Sequence, residues 1–477
     1  MSFPPLIALV LVLALASAPA RATPPVPVAT PSAVPRFTLF GWVAPPVWEQ
    51  TAARYQELAA TGMNAAVLAW EDPQLRESNL ARLDLAAEVG IRCLIADHRF
   101  ERVRDLGIDT PEAGVVIDSI VADYRDHPGF LGYYLGDEPK SDQWPNLTKV
   151  FAELRARDPE HPAWNNLSGY AGYDSLVWVA DNTGYLEHVR PTVLCNDHYD
   201  FRIGHDLGRF VANVAGLRTW SLAYGVPFWS IVQLVPHGGY RPITDGQLAW
   251  QVSMLLAYGT RGVGYFTYWT PAPDPEYDWG DAMITHQGDR TPWYDEVLRL
   301  NARVRPAGET LAGLTWISTQ HAGSVPRGGQ PFRGDDWLTA IAGRAAVGRF
   351  TDAAGVPHLL VMNADSLAAR EVTLTLTGAT GVARLGSAVG DWQALPVVRR
   401  GDHLEVTLPL SAGEFALLRI DGTFTGRSGR LGPVLAVSPS PARDEVRFDV
   451  ARIAGEARIE IVDATGRRVW LRRLPAG

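Results

Sequence analysis

The stretch FTLFGWVAPPVWEQTAARYQELAATGMNAAVLAW (37–70) decides the fold. It opens on a short apolar run, Thr38–Val43, and passes through a Pro-containing turn into a helical pattern over Thr51–Gly62. It then returns to a second apolar run, Asn64–Trp70. Two strands separated by a helix, with no tight hairpin, are the mark of a parallel pair joined by a crossover. A doubly wound, nucleotide-binding sheet would carry a Gly-rich phosphate loop directly after the first strand. Here the residues are Gly41-Trp42-Val43-Ala44-Pro45-Pro46, and no phosphate fingerprint occurs anywhere in the chain.

The same alternation continues. Further apolar runs lie at Ile91–Asp97, Leu131–Gly136, Ala163–Leu167, Thr192–Asp197, Pro227–Gln233 and Val263–Trp269, which with the first two make eight strands. Helical patterns sit between them, among them Leu80–Gly90, Pro111–Tyr124 and Gln247–Tyr258, and Pro292–Arg305 closes the series. Eight β/α units in a region of this length match the usual size of a (β/α)8 TIM barrel, of the α/β class, predicted over 36–312.

Beyond the barrel the period changes from helical to alternating. HLLVMNA (358–364), EVTLTLTG (371–378), HLEVTLPL (403–410) and EFALLRID (414–421) predict an all-β sandwich domain over 313–421. A Gly-rich linker at 422–432 follows, and a different β-rich piece occupies 433–477. At the other end, Leu6–Ala16 is an unbroken apolar run too short to span a bilayer, followed by Ala20-Arg21-Ala22. That is the pattern of a signal peptide over 1–22, with a Pro-rich leader at 23–35, so the protein is expected to be secreted or at the cell surface with no membrane insertion.

Composition narrows the function. A formal charge of −9 argues against non-specific nucleic-acid binding, which needs a basic surface. Cys93 and Cys195 are the only cysteines and fall inside predicted strands, so buried free thiols are expected rather than a disulfide framework. Sixteen Trp residues are a surplus that suits a carbohydrate partner, because indole faces stack on the C–H faces of sugars. His98, His198 and His237 show no metal-ligand spacing, and no metal or other cofactor is expected. No G-x-S-x-G elbow for an esterase is present.

In such a barrel the chemistry sits at the C-terminal ends of the strands. Those ends present Trp42, Trp70-Glu71-Asp72, Asp97-His98, Asp137-Glu138-Pro139, Asn165, Asp197-His198-Tyr199, Gln233 and Trp269. HPGFLGYYLGDEPK (127–140) is the most telling, because a carboxyl rimmed by aromatic rings and a second carboxylate is kept protonated, as a general acid must be. The structural alternative is that Asp137 and Glu138 merely start a helix before Pro139.

Asp137-Glu138-Pro139 resembles the Asn-Glu-Pro of the large clan of (β/α)8 glycoside hydrolases, and QLAWQVSMLLAYGTRGVGYFTYWTP (247–271) and HQGDRTPWYDEVLRLNARVR (286–305) are similar to the end of β-galactosidase-like barrels. The resemblance covers roughly 37–310 and implies a hydrolase of O-glycosidic bonds with Glu138 as general acid and Trp269 as the floor of a sugar subsite. It departs from the pattern at one place. The clan's nucleophile is a Glu at the end of strand seven, where this chain has Gln233, and a neutral amide cannot form a glycosyl ester. Three substitutes are open: an inverting route with Asp197, or Asp97 or Glu71, activating water; substrate assistance oriented by Asp137 and Tyr199, resembling the Asp-Glu pair of β-hexosaminidases; or an acid among Glu276, Asp278 and Asp281. Trp42, Trp70 and Trp269 would stack on sugar, with His98, Asn165, His198, Tyr199 and Gln233 bonding hydroxyls. The alternative is a catalytically inactive barrel that binds carbohydrate, or an adhesin governed by its last module. That module, with SPSPA and ARIEIVDATGRRV, resembles part of the immunoglobulin-like C-terminal sorting modules of secreted bacterial proteins.

Overall fold

The computed structural model describes residues 29–68, 75–170, 175–422 and 424, with the backbone of four short strands beyond them. The predicted signal peptide, the Trp70-Glu71-Asp72 strand end and most of the linker lie outside the described residues.

Eight parallel strands close into a barrel in sequence order: β1 (Thr38–Trp42), β2 (Ala65–Leu68), β3 (Arg92–Ile95), β4 (Phe130–Asp137), β5 (Ala163–Ser168), β6 (Leu194–Asp197), β7 (Phe228–Gln233) and β8 (Gly262–Phe266). Strand β8 pairs with β1 from Thr38 opposite Gly262 to Trp42 opposite Phe266, which completes the ring. Alternation along each strand sorts the side chains into two layers. Phe40, Trp42, Val67, Leu94, Leu131, Trp164, Cys195, Trp229 and Ile231 fill the inside. Their neighbours, such as Leu39, Ala66, Cys93, Tyr133, Leu194, Phe228 and Tyr265, pack outward under the helices. The interior is crowded with rings, and β8 makes room for them: a Cβ at Gly262 would come within 2.5 Å of Trp229, and one at Gly264 within 2.4 Å of Phe40.

The helices begin where their caps dictate. Thr51 accepts from the Arg54 N–H at the start of helix Ala52–Ala60, and Thr110 does the same for Ala113 with Pro111 at the first helical position. Thr244 and Gln247 form a reciprocal capping box at Asp245–Ala257. The helix after the barrel, Pro292–Ala312, runs seven residues past the predicted Arg305 and straight through Pro306. Both cysteines are free and buried.

Two antiparallel sheets follow, one of four strands and one of six. The four segments predicted from alternation appear as Pro357–Asn363, Arg370–Thr377, His403–Leu410 and Phe415–Gly422. Leu338, Val347, Leu359, Val361, Leu374, Val406 and Leu418 fill the space between the sheets. The larger sheet is tied to helix Asp245–Ala257 by Ser253 Oγ donating to the Gly413 carbonyl at 2.7 Å and Thr319 Oγ1 donating to the Ala257 carbonyl at 2.7 Å. Separately, Leu435–Ser438 pairs with Arg447–Val450, and Ala457–Val462 with Arg468–Leu474. No helix among the described residues is long and apolar enough to cross a membrane.

Candidate active site

At the end of β4 the backbone turns sharply: Gly136 has φ 118° and Glu138 φ 41°. Gly136 tolerates that region without a Cβ, whereas Glu138 occupies it at a cost of about 1–3 kcal/mol, and such strain concentrates at working sites. The Glu138 N–H donates to the Asn166 carbonyl at 2.8 Å and holds the turn against β5. The helix that follows, Trp144–Arg157, has Gln143 at its N-cap, so Glu138 does not start it.

Asn166, at the end of β5, is the hinge of the site. Its Nδ2 donates to Asp137 Oδ1 at 2.9 Å and to Asp197 Oδ1 at 2.8 Å, joining the ends of β4 and β6. Its Oδ1 lies 3.7 Å from the Cys195 Sγ, which donates to it. Burial, with the charges of Asp197 and Asp137, raises the Cys195 pKa well above the thiol range, so it stays a donor. The orientation of the Asn166 amide is therefore set by its neighbours: a carboxylate accepts only, and a thiol can donate.

The carboxylates are crowded. Burial, then the charges of Glu138 and Asp137, push Asp197 well above the usual carboxylate range, against the Asn166 hydrogen bond. Asp137 is raised to about 6 by burial and the Glu138 charge, against the Asn166 hydrogen bond and the Lys140 charge. Its side of the mouth is open to solvent, so water screens part of that effect. Lys140 Nζ stands 3.7 Å from Glu138 Oε2, with both side chains partly exposed. Tyr134 and Tyr199 border the cluster. Tyr134 packs edge-on against Trp42 at 5.2 Å, and Tyr199 lies against Phe266 at 5.4 Å and edge-on to Tyr240 at 5.4 Å.

Asp137, Glu138, Asp197 and Tyr199 thus meet at one mouth. The other expected residues are placed differently. Asn165 faces away from Asn166: its Nδ2 donates to the Gly136 carbonyl at 2.9 Å and its Oδ1 accepts from Tyr185 at 3.1 Å, so it braces the β4 turn. His198 is fully buried on the outer face, with Nε2 3.2 Å from Asp200 Oδ1. Gln233 is clamped to backbone, accepting from the Phe201 N–H at 3.1 Å and donating to the Phe201 and Arg241 carbonyls at 3.0 Å each, which leaves its amide no part in binding.

Trp42 is 2% exposed inside the barrel and offers no open face. Trp269 packs in the outer layer beneath Arg54, whose guanidinium sits 5.2 Å from its ring, because β8 ends at Phe266 rather than at Trp269. Phe266 takes the place at the mouth expected of Trp269, packed against His237 and Trp279 at ring separations of 5.0 and 5.9 Å. Asp97 is locked by Arg99 in a two-point contact of 3.0 and 2.8 Å and by the Tyr124 hydroxyl at 2.7 Å. Burial works to raise its pKa, but those bonds outweigh it and hold the carboxyl below its usual range. His98 stands beside it, half exposed, with Nδ1 3.8 Å from Asp97. Glu276, Asp278 and Asp281 lie on an exposed loop.

Asn166 escaped the sequence reading although a signal for it exists. Trp164 points into the barrel, and a period of two carries the next inward position to 166, not 165. The same parity places Cys195, Asp197 and Tyr199 inward and His198 outward.

No protein-family model matches the chain. Among solved structures it is similar to a glycoside hydrolase family 5 protein from Bacteroides vulgatus, at 13% identity and a TM-score of 0.51, over 81% of this chain and 89% of that one. A cold-adapted β-galactosidase from a Rahnella species matches at 11% identity and a TM-score of 0.51, over 82% of this chain and all of that one. The chain spans 62% of the length of a β-galactosidase from the psychrophilic Marinomonas ef1, covering 58% of its own, at 11% identity and a TM-score of 0.45. At these identities the likeness is one of fold.

Proposed function

We propose that the protein is an exported glycoside hydrolase that cleaves O-glycosidic bonds of a poly- or oligosaccharide, with Glu138 as general acid and Asp197 activating water. The observation that carries this reading is the meeting of Asp137, Glu138 and Asp197 at the C-terminal mouth of the barrel, two of them bridged by Asn166. Like charges in close quarters do not all ionise together, so the cluster keeps a proton into the pH range where an isolated carboxyl has lost it. The fold likeness to glycoside hydrolases supports the same class.

The geometry also favours one pairing. The bridged oxygens of Asp137 and Asp197 are no farther apart than the two hydrogen bonds of 2.9 and 2.8 Å laid end to end. That is below the ~6.5 Å that leaves room for an attacking water between carboxyls. The two aspartates are therefore too close to each other to hold the attacking water, which leaves Glu138 with Asp197 as the pair we propose. In the step proposed, the Glu138 proton passes to the glycosidic oxygen as the bond from the anomeric carbon to that oxygen breaks. Water attacks the anomeric carbon from the opposite face and gives its proton to Asp197, so the anomer inverts. Asp137, fixed by Asn166, adds to the burial and the Glu138 charge that raise Asp197, which makes Asp197 the stronger proton acceptor.

One observation favours a second reading. Lys140 Nζ lies 3.7 Å from Glu138 Oε2, and Gln233 stands where similar barrels have a nucleophile. Both suit a barrel that binds carbohydrate without cleaving it. The deciding experiment is hydrolysis of a polysaccharide and aryl-glycoside panel by wild type and Glu138→Gln, with the product anomer followed by NMR. Inverted product lost in the variant supports the assignment. Retained product removes Asp197 from the role of base and points to substrate assistance oriented by Asp137 or to another nucleophile. Sugar binding without hydrolysis in either protein establishes the inactive barrel.

A further inference from the structure

Strands β5 and β6 carry Asn166 and Asp197, yet they share the shortest seam of the barrel, with Leu167 opposite Asn196 and Ser168 opposite Asp197. Every other pair of neighbouring strands is registered over a longer run. Side chains and loops make up for the short ladder.

Two residues past β5, Tyr170 is almost fully buried. Its N–H donates to Asn213 Oδ1 at 3.1 Å, and the same oxygen accepts from Asn196 Nδ2 at 2.8 Å. Asn213, on helix Phe210–Tyr224, thus stitches the end of β5 to the residue before Asp197. Gly169 closes the remaining gap: a Cβ there would come within 2.1 Å of the Asp197 carbonyl oxygen, so only glycine lets the two backbones touch. Tyr170 therefore reaches Asp197 by two routes, through its covalent neighbour and through two asparagines.

What fixes Tyr170 comes from the other domain. Arg327, on the loop after sandwich strand Thr315–Ala322, donates from Nη2 to the Tyr170 hydroxyl at 2.7 Å, with its guanidinium 5.2 Å from the ring centre. A charged donor makes the stronger kind of hydrogen bond, and the ring adds a cation–π attraction. The loop is itself braced. The His321 N–H donates to the Gln330 carbonyl at 2.7 Å, the Phe332 N–H to the His321 carbonyl at 2.8 Å and the Gly329 N–H to the Pro326 carbonyl at 2.9 Å. It is also seated on the barrel at Gly328, where a Cβ would come within 2.4 Å of Ala212 Cα, one residue before Asn213. One short segment of the sandwich grips both Tyr170 and the helical turn that carries Asn213.

We infer that Arg327 is a positioning residue for the active site: by pinning Tyr170 it holds the β5–β6 seam, and with it the Asn166–Asp197 bridge, in register. The sandwich is then part of the catalytic unit rather than an appendage. The inference rests on the reading of Asp197 as the group that activates water.

The test uses the full chain labelled at the aspartate carboxyl carbons, with the Asp197 resonance assigned by its loss in Asp197→Asn and followed by NMR against pH. Asp197 is faced by Asp137 and Glu138 at the end of β4, by Tyr134, by Cys195 and Tyr199 on its own segment and by Tyr240, and burial is the largest influence raising it. A loosened seam admits water and relieves that burial, so in Arg327→Ala the midpoint is expected to fall toward the ~3.9 of an exposed carboxyl. On the best substrate, kcat is expected to drop about three- to tenfold with KM little changed, and the acid limb of kcat/KM to move to lower pH. Arg327→Lys, which keeps the charge and a donor, should restore most of both.

Ser253→Ala is the control. It removes another bond between the two domains, to the Gly413 carbonyl, and is expected to lower stability without moving the midpoint. Tyr170→Phe, which keeps the ring and loses only the acceptor, replaces Arg327→Ala should that variant fail to fold, with the same direction expected. A wild-type midpoint in Arg327→Ala and Tyr170→Phe, or an equal fall in Ser253→Ala, overturns the inference. Because the midpoint is read without substrate, the role of Arg327 is decided even in a protein that hydrolyses nothing. The assignment of Asp197 as the base stands or falls separately on the hydrolysis panel.

Discussion

Two strand ends of the same barrel carry a buried or half-buried aspartate, and the two behave in opposite ways. Asp97, after β3, meets a guanidinium and a hydroxyl, and its carboxyl is held below the usual range. Asp197, at the end of β6, meets two other carboxylates and an amide, and its carboxyl is driven up. Residue type and topological position are shared; the partners decide. A buried carboxylate with a cation is structure, while one without a cation is a group poised to exchange a proton.

The contrast is broken most directly at its active side. Glu138→Gln removes the proton donor and is expected to lower kcat by about 10²–10⁴-fold, measured on the best substrate of the panel, with the fold intact by circular dichroism. A variant that keeps full activity removes Glu138 from the chemistry.

The structural side comes next. Asp97→Ala leaves Arg99 with Asp123 and strips Tyr124 of its acceptor, and is expected to cost about 3 kcal/mol in urea unfolding. Asp197→Asn relieves crowding and is expected to leave stability unchanged or raised. Equal losses from both would show that the two aspartates are alike after all.

A smaller effect tests what orients the cluster. Cys195→Ala removes the donor to Asn166 Oδ1, freeing the amide to turn, and is expected to slow hydrolysis about three- to tenfold, in line with ~0.5–1.5 kcal/mol for one hydrogen bond. Cys195→Ser keeps a donor and should restore most of the rate. If serine and alanine behave alike, only the packing of the sulfur matters.

The smallest effect is in pH. Asp137 keeps its proton in the folded state up to about 6, whereas the unfolded chain releases it at about 3.9. Between about pH 4 and 6 the folded state binds more protons, so this group makes stability fall as pH rises through that window. Asp97 does the reverse: its contribution is present above about pH 4 and is lost as pH falls through its lowered folded pKa. Melting temperatures across pH should show the falling limb flattened in Asp137→Asn and the acid-side loss flattened in Asp97→Asn. A wild-type slope unchanged by Asp137→Asn would show that Asp137 titrates normally.

The sequence by itself determined the barrel and its sandwich, because both rest on periodicity along the chain: short apolar runs alternating with helical patterns, then a period of two. It also singled out Asp137-Glu138, since the residues are adjacent and the end of β4 is a local feature. What it misjudged were facts of phase and of partners. Ending strand eight three residues late put Trp269 at the mouth and hid Phe266, and reading Asn165 for Asn166 exchanged a brace for the bridge. Only the tertiary structure decided which aspartate meets Arg99 and which meets Glu138, or that Gln233 is consumed by the backbone of residues 201 and 241. Those outcomes turn largely on partners tens of residues away in the chain: Tyr124 for Asp97, Glu138 for Asp197 and Phe201 for Gln233. Electrostatic and hydrogen-bond energies act over a few ångströms of space, whereas sequence pattern reports only what lies a few residues away.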